Sequence, residues 1–160
     1  MPKAQVKGKA KRAAAKQPSL EASTKSKADR ARRPAAPASD PLALLREIIR
    51  AWPETFERIS HGAPTWWGGK RTFATFTVNH HGDGRIAVWC KLPPGAQEAL
   101  VESDPLLFFV PPYVGPSGWV GIRLDEPEGR ATDWVQVAGL LEEGYRSVAP
   151  RRAIAALDAR

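Results

Sequence analysis

Lysine and arginine are concentrated at the N-terminus of the 160-residue chain. Residues 1–39 carry eleven of these cations against two acids, Glu21 and Asp29, which gives the segment a net charge of +9. The whole chain has 24 basic and 17 acidic side chains, so residues 40–160 keep thirteen and fifteen, a net charge of −2. The sequence pI of about 9.9 therefore reflects the first 39 residues and not the remainder.

Cationic side chains of this kind attract phosphates and release the counterions condensed on nucleic acid, whatever the base sequence. The segment is therefore predicted to contact DNA phosphates, with acidic proteins and anionic membranes as alternatives. A membrane surface fits less well because the segment has no aromatic or leucine-rich face to anchor it. The predicted phosphate-binding residues are Lys3, Lys7, Lys9, Lys11, Arg12, Lys16, Lys25, Lys27, Arg30, Arg32 and Arg33.

Five further cations lie beside predicted turns in the rest of the chain. Lys70 and Arg71 follow a glycine pair, Arg85 follows a glycine-rich turn, and Arg151 and Arg152 follow the last periodic helix. We expect these five side chains to border one charged surface and to add weakly to DNA binding, because the net charge of this region is near zero. Ordinary solvated turns are the alternative.

Trp66 and Trp67 form the most notable aromatic pair, in a predicted loop at residues 61–70 that also contains His61. Indoles in such a loop can stack on a base or line a ligand pocket. The alternative is that they cover the edge of a small core. Adjacent side chains usually point in different directions, so we expect one indole to pack and the other to be exposed.

A second candidate surface comes from an alternating run at residues 71–79. If Ala74, Phe76 and Val78 face the helices, then Phe73 and the threonines lie on the opposite face of the sheet. Trp89, on the neighbouring predicted strand, can join them. The sequence thus predicts an apolar, partly open sheet face, and the possible pocket comprises His61, Trp66, Trp67, Phe73 and Trp89.

Catalytic and metal-binding patterns are lacking. Cys90 is flanked at a period of two by apolar residues, so we expect a buried thiol that does not react. His61, His80 and His81 do not have zinc-ligand spacing, and no phosphate-cradling glycine motif is present. We therefore expect no catalytic residue, no metal and no cofactor, and we interpret the chain as non-enzymatic.

The N-terminal segment has no apolar stretch of secretory length, and no later run approaches the roughly 18 residues of a membrane span. With a single cysteine, Cys90, the chain cannot form an internal disulfide. These features predict a cytoplasmic protein that does not bind membranes, with association with the nucleoid as one option. An organelle transit peptide is the alternative, but abundant lysine and several prolines fit it poorly.

Residues 1–39 are too poor in apolar side chains to bury a core and are predicted to be disordered, whereas residues 40–160 are predicted to form one domain. The predicted elements are a helix from Asp40-Pro41 to Pro53, a strand at 55–60, a hairpin of strands at 71–79 and 85–92, a short helix after residue 95, strands at 106–110 and 118–124, and a helix from Asp133 to Pro150. This order predicts an α+β fold, an antiparallel sheet with helices packed on one face.

Several motifs of this sequence occur in the same order in a known family. They are SHGAPT at 60–65, KRTFA at 70–74, FFVPPYVG at 108–115, GWVGIRLD at 118–125, DW at 133–134 and YRSVAPRR at 145–152. On these motifs, residues 40–160 resemble the MmcQ/YjbR family. The resemblance implies a CyaY-like, or frataxin-like, two-layer sandwich that acts as a DNA-binding module.

A frataxin-like fold also raises the alternative of iron handling. That function would need clustered carboxylates, whereas Glu47, Glu54 and Glu57 are interspersed with arginines, so we do not expect iron binding. The leading hypothesis is a DNA-binding protein with little base discrimination. The main alternative is a small-molecule or protein-binding module that uses the Trp66/Trp67 loop and the open sheet face. An uncharacterised enzyme is a third possibility, and no protein partner can be inferred.

Overall fold

The computed structural model describes residues 39–160. The predicted disorder of the N-terminal segment, and all eleven of its predicted phosphate-binding cations, lie outside the described residues. No helix within residues 39–160 combines the length and the apolarity needed to cross a lipid bilayer.

The described residues form an antiparallel sheet of six strands and four α-helices. The strands are β1 (Thr55–Ser60), β2 (Ala63–Gly68), β3 (Arg71–Val78), β4 (Ile86–Lys91), β5 (Phe108–Phe109) and β6 (Trp119–Arg123), and the helices are α1 (Pro41–Ile49), α2 (Ala96–Ser103), α3 (Trp134–Val148) and α4 (Arg151–Asp158). The strand order across the sheet is β1-β2-β3-β4-β6-β5. The predicted α+β class is confirmed.

Side-chain caps fix the start of the two principal helices. The Asp40 carboxylate accepts a hydrogen bond from the backbone amide of Leu42 at 3.0 Å, and Asp133 accepts from two amides at the start of α3. Each cap satisfies amide groups that have no partner inside the helix, and such a cap typically contributes about 1 kcal/mol to stability. Both helix starts therefore lie where the sequence predicted them, whereas α4 was not predicted.

Helix α3 packs directly on the sheet around Tyr145, which is fully buried. Its ring lies 5.4 Å from that of Trp52 and 5.8 Å from that of Phe73, and its hydroxyl donates to the carbonyl of Pro53 at 2.7 Å. One turn of the helix must come especially close, because a Cβ added at Gly144 would lie 2.6 Å from the backbone oxygen of strand β4 at Lys91. The core thus lies between α3 and the sheet.

The prediction of a loop at residues 61–70 is wrong, because most of it is strand β2 between β1 and β3. His61 and Gly62 have φ angles of +49° and +77° and form a two-residue hairpin turn. Gly68 packs closely against the helix, since an added Cβ would lie 3.1 Å from Val148 and 3.2 Å from Tyr145. The glycines thus mark tight turns and a helix contact, not an irregular loop.

A β-bulge changes the predicted exposure of Phe73. Trp66 pairs with Ala74 and Trp67 pairs with Thr72, which leaves Phe73 as an extra residue in β3. A bulge of this kind interrupts the alternation of side chains between the two faces. Phe73 is fully buried against Trp52 and Tyr145, so the prediction that it lies on the open face is wrong.

Candidate functional site

The turn between β2 and β3 packs against the junction of α3 and α4. A Cβ added at Gly69 would lie 2.9 Å from the side chain of Pro150, and the Arg71 guanidinium donates to the carbonyl of Ser147 at 2.8 Å. Lys70, at the tip of this turn, is exposed. The contact fixes Lys70 and Arg71 at the end of the molecule where α4 begins.

Two more predicted cations lie at this end, because Arg151 and Arg152 open helix α4. Arg152 donates two hydrogen bonds to the carboxylate of Glu54, at 2.6 and 2.7 Å, and this bonding lowers the pKa of Glu54. Arg151 is exposed and forms no ion pair among the described residues. The structure therefore brings four of the five predicted cations to one end.

Arg85 is the exception. It lies beyond the far end of β3, where its carbonyl accepts from the amide of Asn79. The eight residues of β3 separate it from Arg71 by about 25 Å. Its guanidinium lies 4.2 Å from the ring centre of Phe109 and 3.8 Å from the Asp83 carboxylate. The prediction that all five cations border one surface is therefore wrong for Arg85.

A groove of about 380 Å³ opens beside Lys70 and Arg71. Trp66 and Cys90 face the helices, so Trp67 and Lys91, the next residues along their strands, point to the opposite face of the sheet. Trp119 pairs with Lys91 and shares that face. The residues that line the groove are Trp67, Lys70, Arg71, Thr72, Lys91, Ser117, Trp119 and Val148.

The groove has an excess of positive charge. It contains Lys70, Arg71 and Lys91 and no acidic residue. Within residues 39–160 none of these three cations lies within 4.0 Å of a carboxylate, whereas six arginines elsewhere in this range form such pairs. The groove thus concentrates three uncompensated charges on a region whose net charge is −2.

Backbone contacts orient two of these cations without using up their donors. The Lys91 ammonium donates to the carbonyl of Ser117, and the Arg71 guanidinium donates to that of Ser147. An ammonium has three N–H donors and a guanidinium has five. Both groups therefore keep donors for an anion in the groove.

The two partly exposed indoles lie on opposite sides of Thr72 and Lys91 in the groove. Trp67 is braced by Phe56, whose ring stacks on it with a centroid separation of 5.6 Å and an interplanar angle of 5°. Three strand spacings separate β2 from β6, which places Trp119 about 14 Å away. Trp66 is only 3% exposed and belongs to the core, so one of the adjacent tryptophans packs and the other reaches the surface.

The remaining members of the predicted pocket do not meet at the groove. His61 lies at the other end of β2, six residues and about 20 Å from Trp67. Trp89 points to the face opposite the helices but is only 6% exposed, and the His80 ring packs edge-on against it at 4.7 Å, so the prediction of an open sheet face is wrong at this position. With Phe73 in the core, Trp67 alone of that set lines the groove.

Thr72, Lys91 and Trp119 were not predicted to belong to a site. Successive side chains of a strand point to opposite faces, so a buried Cys90 implies that Lys91 points outward, and this direction was readable from the sequence. The juxtaposition with Trp119 depends on the pairing of β4 with β6, which local sequence does not reveal. The missed partners therefore arise from sheet topology.

Cys90 is fully buried, and its thiol donates to the carbonyl of Leu140 at 3.3 Å. Burial raises the pKa of Cys90 far above its usual range, so the nucleophilic thiolate is disfavoured. No group of three or more His, Cys, Asp or Glu side chains within residues 39–160 is arranged to hold a metal ion. The groove instead has the groups to bind an anion that carries a flat apolar part.

Comparison with known proteins gives a family and a related fold. The profile of the YjbR family matches residues 50–147. No curated protein matches the sequence. The crystal structure of Deinococcus radiodurans protein DR2400, described as a DUF419 domain, is similar with a TM-score of 0.51 and 18% identity, over 63% of this chain and 72% of that one. At this identity the likeness concerns the fold alone, and the sequence match establishes that this chain belongs to the YjbR family.

Proposed function

We propose that the protein binds DNA through its phosphates with little dependence on base sequence. Residues 1–39 supply most of the affinity, and the groove end of the folded region adds a smaller, oriented contact. The observation that carries this proposal is the distribution of charge, with +9 on the first 39 residues and three uncompensated cations in the groove of a region that is otherwise slightly acidic.

The physical reason for this division lies in long-range electrostatics. A region of net charge −2 is repelled by a polyanion at a distance, so a few local cations cannot draw DNA in by themselves. A segment of eleven cations can neutralise several phosphates and release their counterions. Once DNA is held nearby, Lys70, Arg71 and Arg151 can contact further phosphates at one end of the domain.

We propose a binding protein and not an enzyme, and we propose that it binds DNA in the cytoplasm. The buried Cys90 thiol is unsuited to nucleophilic attack, and the groove contains cations and indoles but no carboxylate or imidazole that could serve as a general base. We also propose that the fold is CyaY-like, because the sequence motifs resemble those of the MmcQ/YjbR family.

The test is the salt dependence of duplex binding by two proteins, the full chain and a chain that begins at Ser39. The shorter chain retains every buried core residue that the structure describes. A full-length variant with the eleven N-terminal cations replaced by glutamine is the matched control for length. Fluorescence anisotropy should be recorded between about 50 and 200 mM salt.

We expect the full chain to bind duplex with a steep salt slope, about −0.9 per phosphate neutralised. Both the shortened chain and the glutamine variant should bind far more weakly and with a flatter slope. If neither the full chain nor the shortened chain binds duplex, DNA binding is refuted. If all three proteins bind alike, the claim that residues 1–39 supply most of the affinity is wrong.

A second candidate function is a small-molecule or protein-binding module, and the groove is the observation that favours it. Its volume of about 380 Å³ lies within the range of small-ligand sites, about 300–1,000 Å³. Its cations indicate an anionic ligand. Binding of a small anionic ligand in the groove by a protein that has no affinity for DNA would favour this candidate over the first.

A further inference from the structure

We propose that the groove binds a nucleotide unit, with its phosphate on Lys70, Arg71 and Lys91 and its unpaired base on an indole. The inference rests on the proposed function and deepens it, because it assigns the domain a preference for single-stranded over duplex DNA. Trp119 and Trp67 are the two available stacking surfaces.

The phosphate half of the site follows from charge and donor capacity. Three cations, from the β2–β3 turn, the start of β3 and the end of β4, line one groove without an opposing carboxylate. Arg71 and Lys91 are each held by one backbone carbonyl and keep their other donors. Hydrogen bonds from such charged donors to phosphate are roughly twice as strong as neutral ones.

The base half of the site follows from the two indoles. Phe56 covers one side of Trp67 in a parallel stack, so this ring is held in place while another part of it lines the groove. Trp119 is anchored by its backbone, whose carbonyl accepts from the Gln97 side chain. Stacking of bases on partly exposed indoles is tolerant of sequence because every base has a π-face.

The geometry favours an unpaired base. The indoles are about 14 Å apart, so a single ring cannot touch both, and each indole can take its own base. In a duplex the faces of the bases are already stacked on their neighbours, and exposing one costs a few kcal/mol. A single strand, or a free nucleotide, presents the same phosphate and base without that cost.

The experiment uses the full chain and four probes: single-stranded oligodeoxyadenylate, an abasic oligomer with the same number of phosphates, a duplex of the same length, and free dAMP. Affinity is measured by anisotropy or calorimetry, and stacking by quenching of tryptophan fluorescence. The variants are Trp119→Leu and Lys91→Gln. Their matched controls are Trp134→Leu, in a different groove between α1 and α3, and Arg50→Gln, an exposed cation outside the groove.

We expect the full chain to bind oligodeoxyadenylate more tightly than the abasic oligomer, with quenching. Trp119→Leu should reduce affinity for oligodeoxyadenylate by about 5- to 150-fold, the usual range for one base stacked on an aromatic ring, and leave abasic binding nearly unchanged. Lys91→Gln should weaken the binding of both probes and reduce the salt slope by about 1, as expected for the loss of one phosphate contact. The two control variants should behave as the unmodified chain does.

Equal affinity for oligodeoxyadenylate and the abasic oligomer would overturn the inference, as would an unchanged affinity in both groove variants. Duplex binding with a steep salt slope would survive that result, so the proposed function would stand. Binding of dAMP that is lost in both variants, without affinity for any oligomer, would support the site and refute the DNA function. If Trp119→Leu lowers the urea midpoint, the variant Lys91→Gln, whose residue lies outside the core, still decides the phosphate half.

Discussion

The close approach of α3 to the sheet can be tested by adding one methyl group at Gly144. A Cβ there would lie 2.6 Å from the backbone oxygen of Lys91 and 3.2 Å from the Cys90 sulfur. The oxygen belongs to strand β4 and cannot rotate away, so Gly144→Ala must push the helix and the strand apart. Overpacking of this kind costs about 1–3 kcal/mol, whereas alanine is better than glycine inside a helix by about 1 kcal/mol.

Gly139 provides the matched control, because it is exposed on the same helix and an added Cβ would meet nothing within 4 Å. Gly139→Ala should therefore raise the free energy of unfolding by about 1 kcal/mol. Since the helix preference is common to both variants, urea unfolding should find Gly144→Ala less stable than Gly139→Ala by about 1–3 kcal/mol. Equal unfolding midpoints with equal m values would refute the packing of α3 on β4.

Three other properties of the core and of the opposite sheet face can be measured directly. Tyr145→Phe removes the donor to the Pro53 carbonyl, so the free energy of unfolding in urea should fall by about 1 kcal/mol, and no change would contradict that hydrogen bond. Burial raises the pKa of Cys90, so a thiol reagent should label it only after denaturation, and rapid labelling of the native protein would contradict its burial. Burial, together with the neighbouring His81, lowers the pKa of His80 from 6.5. As the pH falls from about 6.5, this histidine is protonated first in the unfolded chain, so the free energy of unfolding should decline until His80 is protonated in the folded protein as well. An NMR titration of the native protein that gives His80 a midpoint above pH 6.5 would contradict this.

The elements that the sequence predicted correctly are those specified by local rules. Asp40 and Asp133 cap helices whose apolar residues recur at helical spacing, and the hairpin of β3 and β4 alternates on either side of a glycine-rich turn. Strand β2 was missed because its glycines and proline favour turns. Gly68 lies there in close contact with Tyr145, a residue far away in the sequence.

The candidate site was less predictable because it depends on contacts between distant segments. The positions of Lys70 and Arg71 beside a turn were readable, and their proximity to Arg151 was an expectation that the packing of Pro150 on Gly69 now explains. The bulge that turned Phe73 inward and the pairing that brought Trp119 beside Lys91 leave no clear local pattern. Periodicity could give the direction of a side chain but not its neighbours.

The most direct test of the central claim, that DNA contacts the N-terminal segment and the groove end of the domain, is photo-crosslinking of the full chain to single-stranded DNA, read by mass spectrometry. We predict adducts within residues 1–39 and at Trp67, Lys91 and Trp119. Adducts confined to the opposite end, at His81 and Tyr113, whose side chains are exposed and 3.2 Å apart there, would contradict the account.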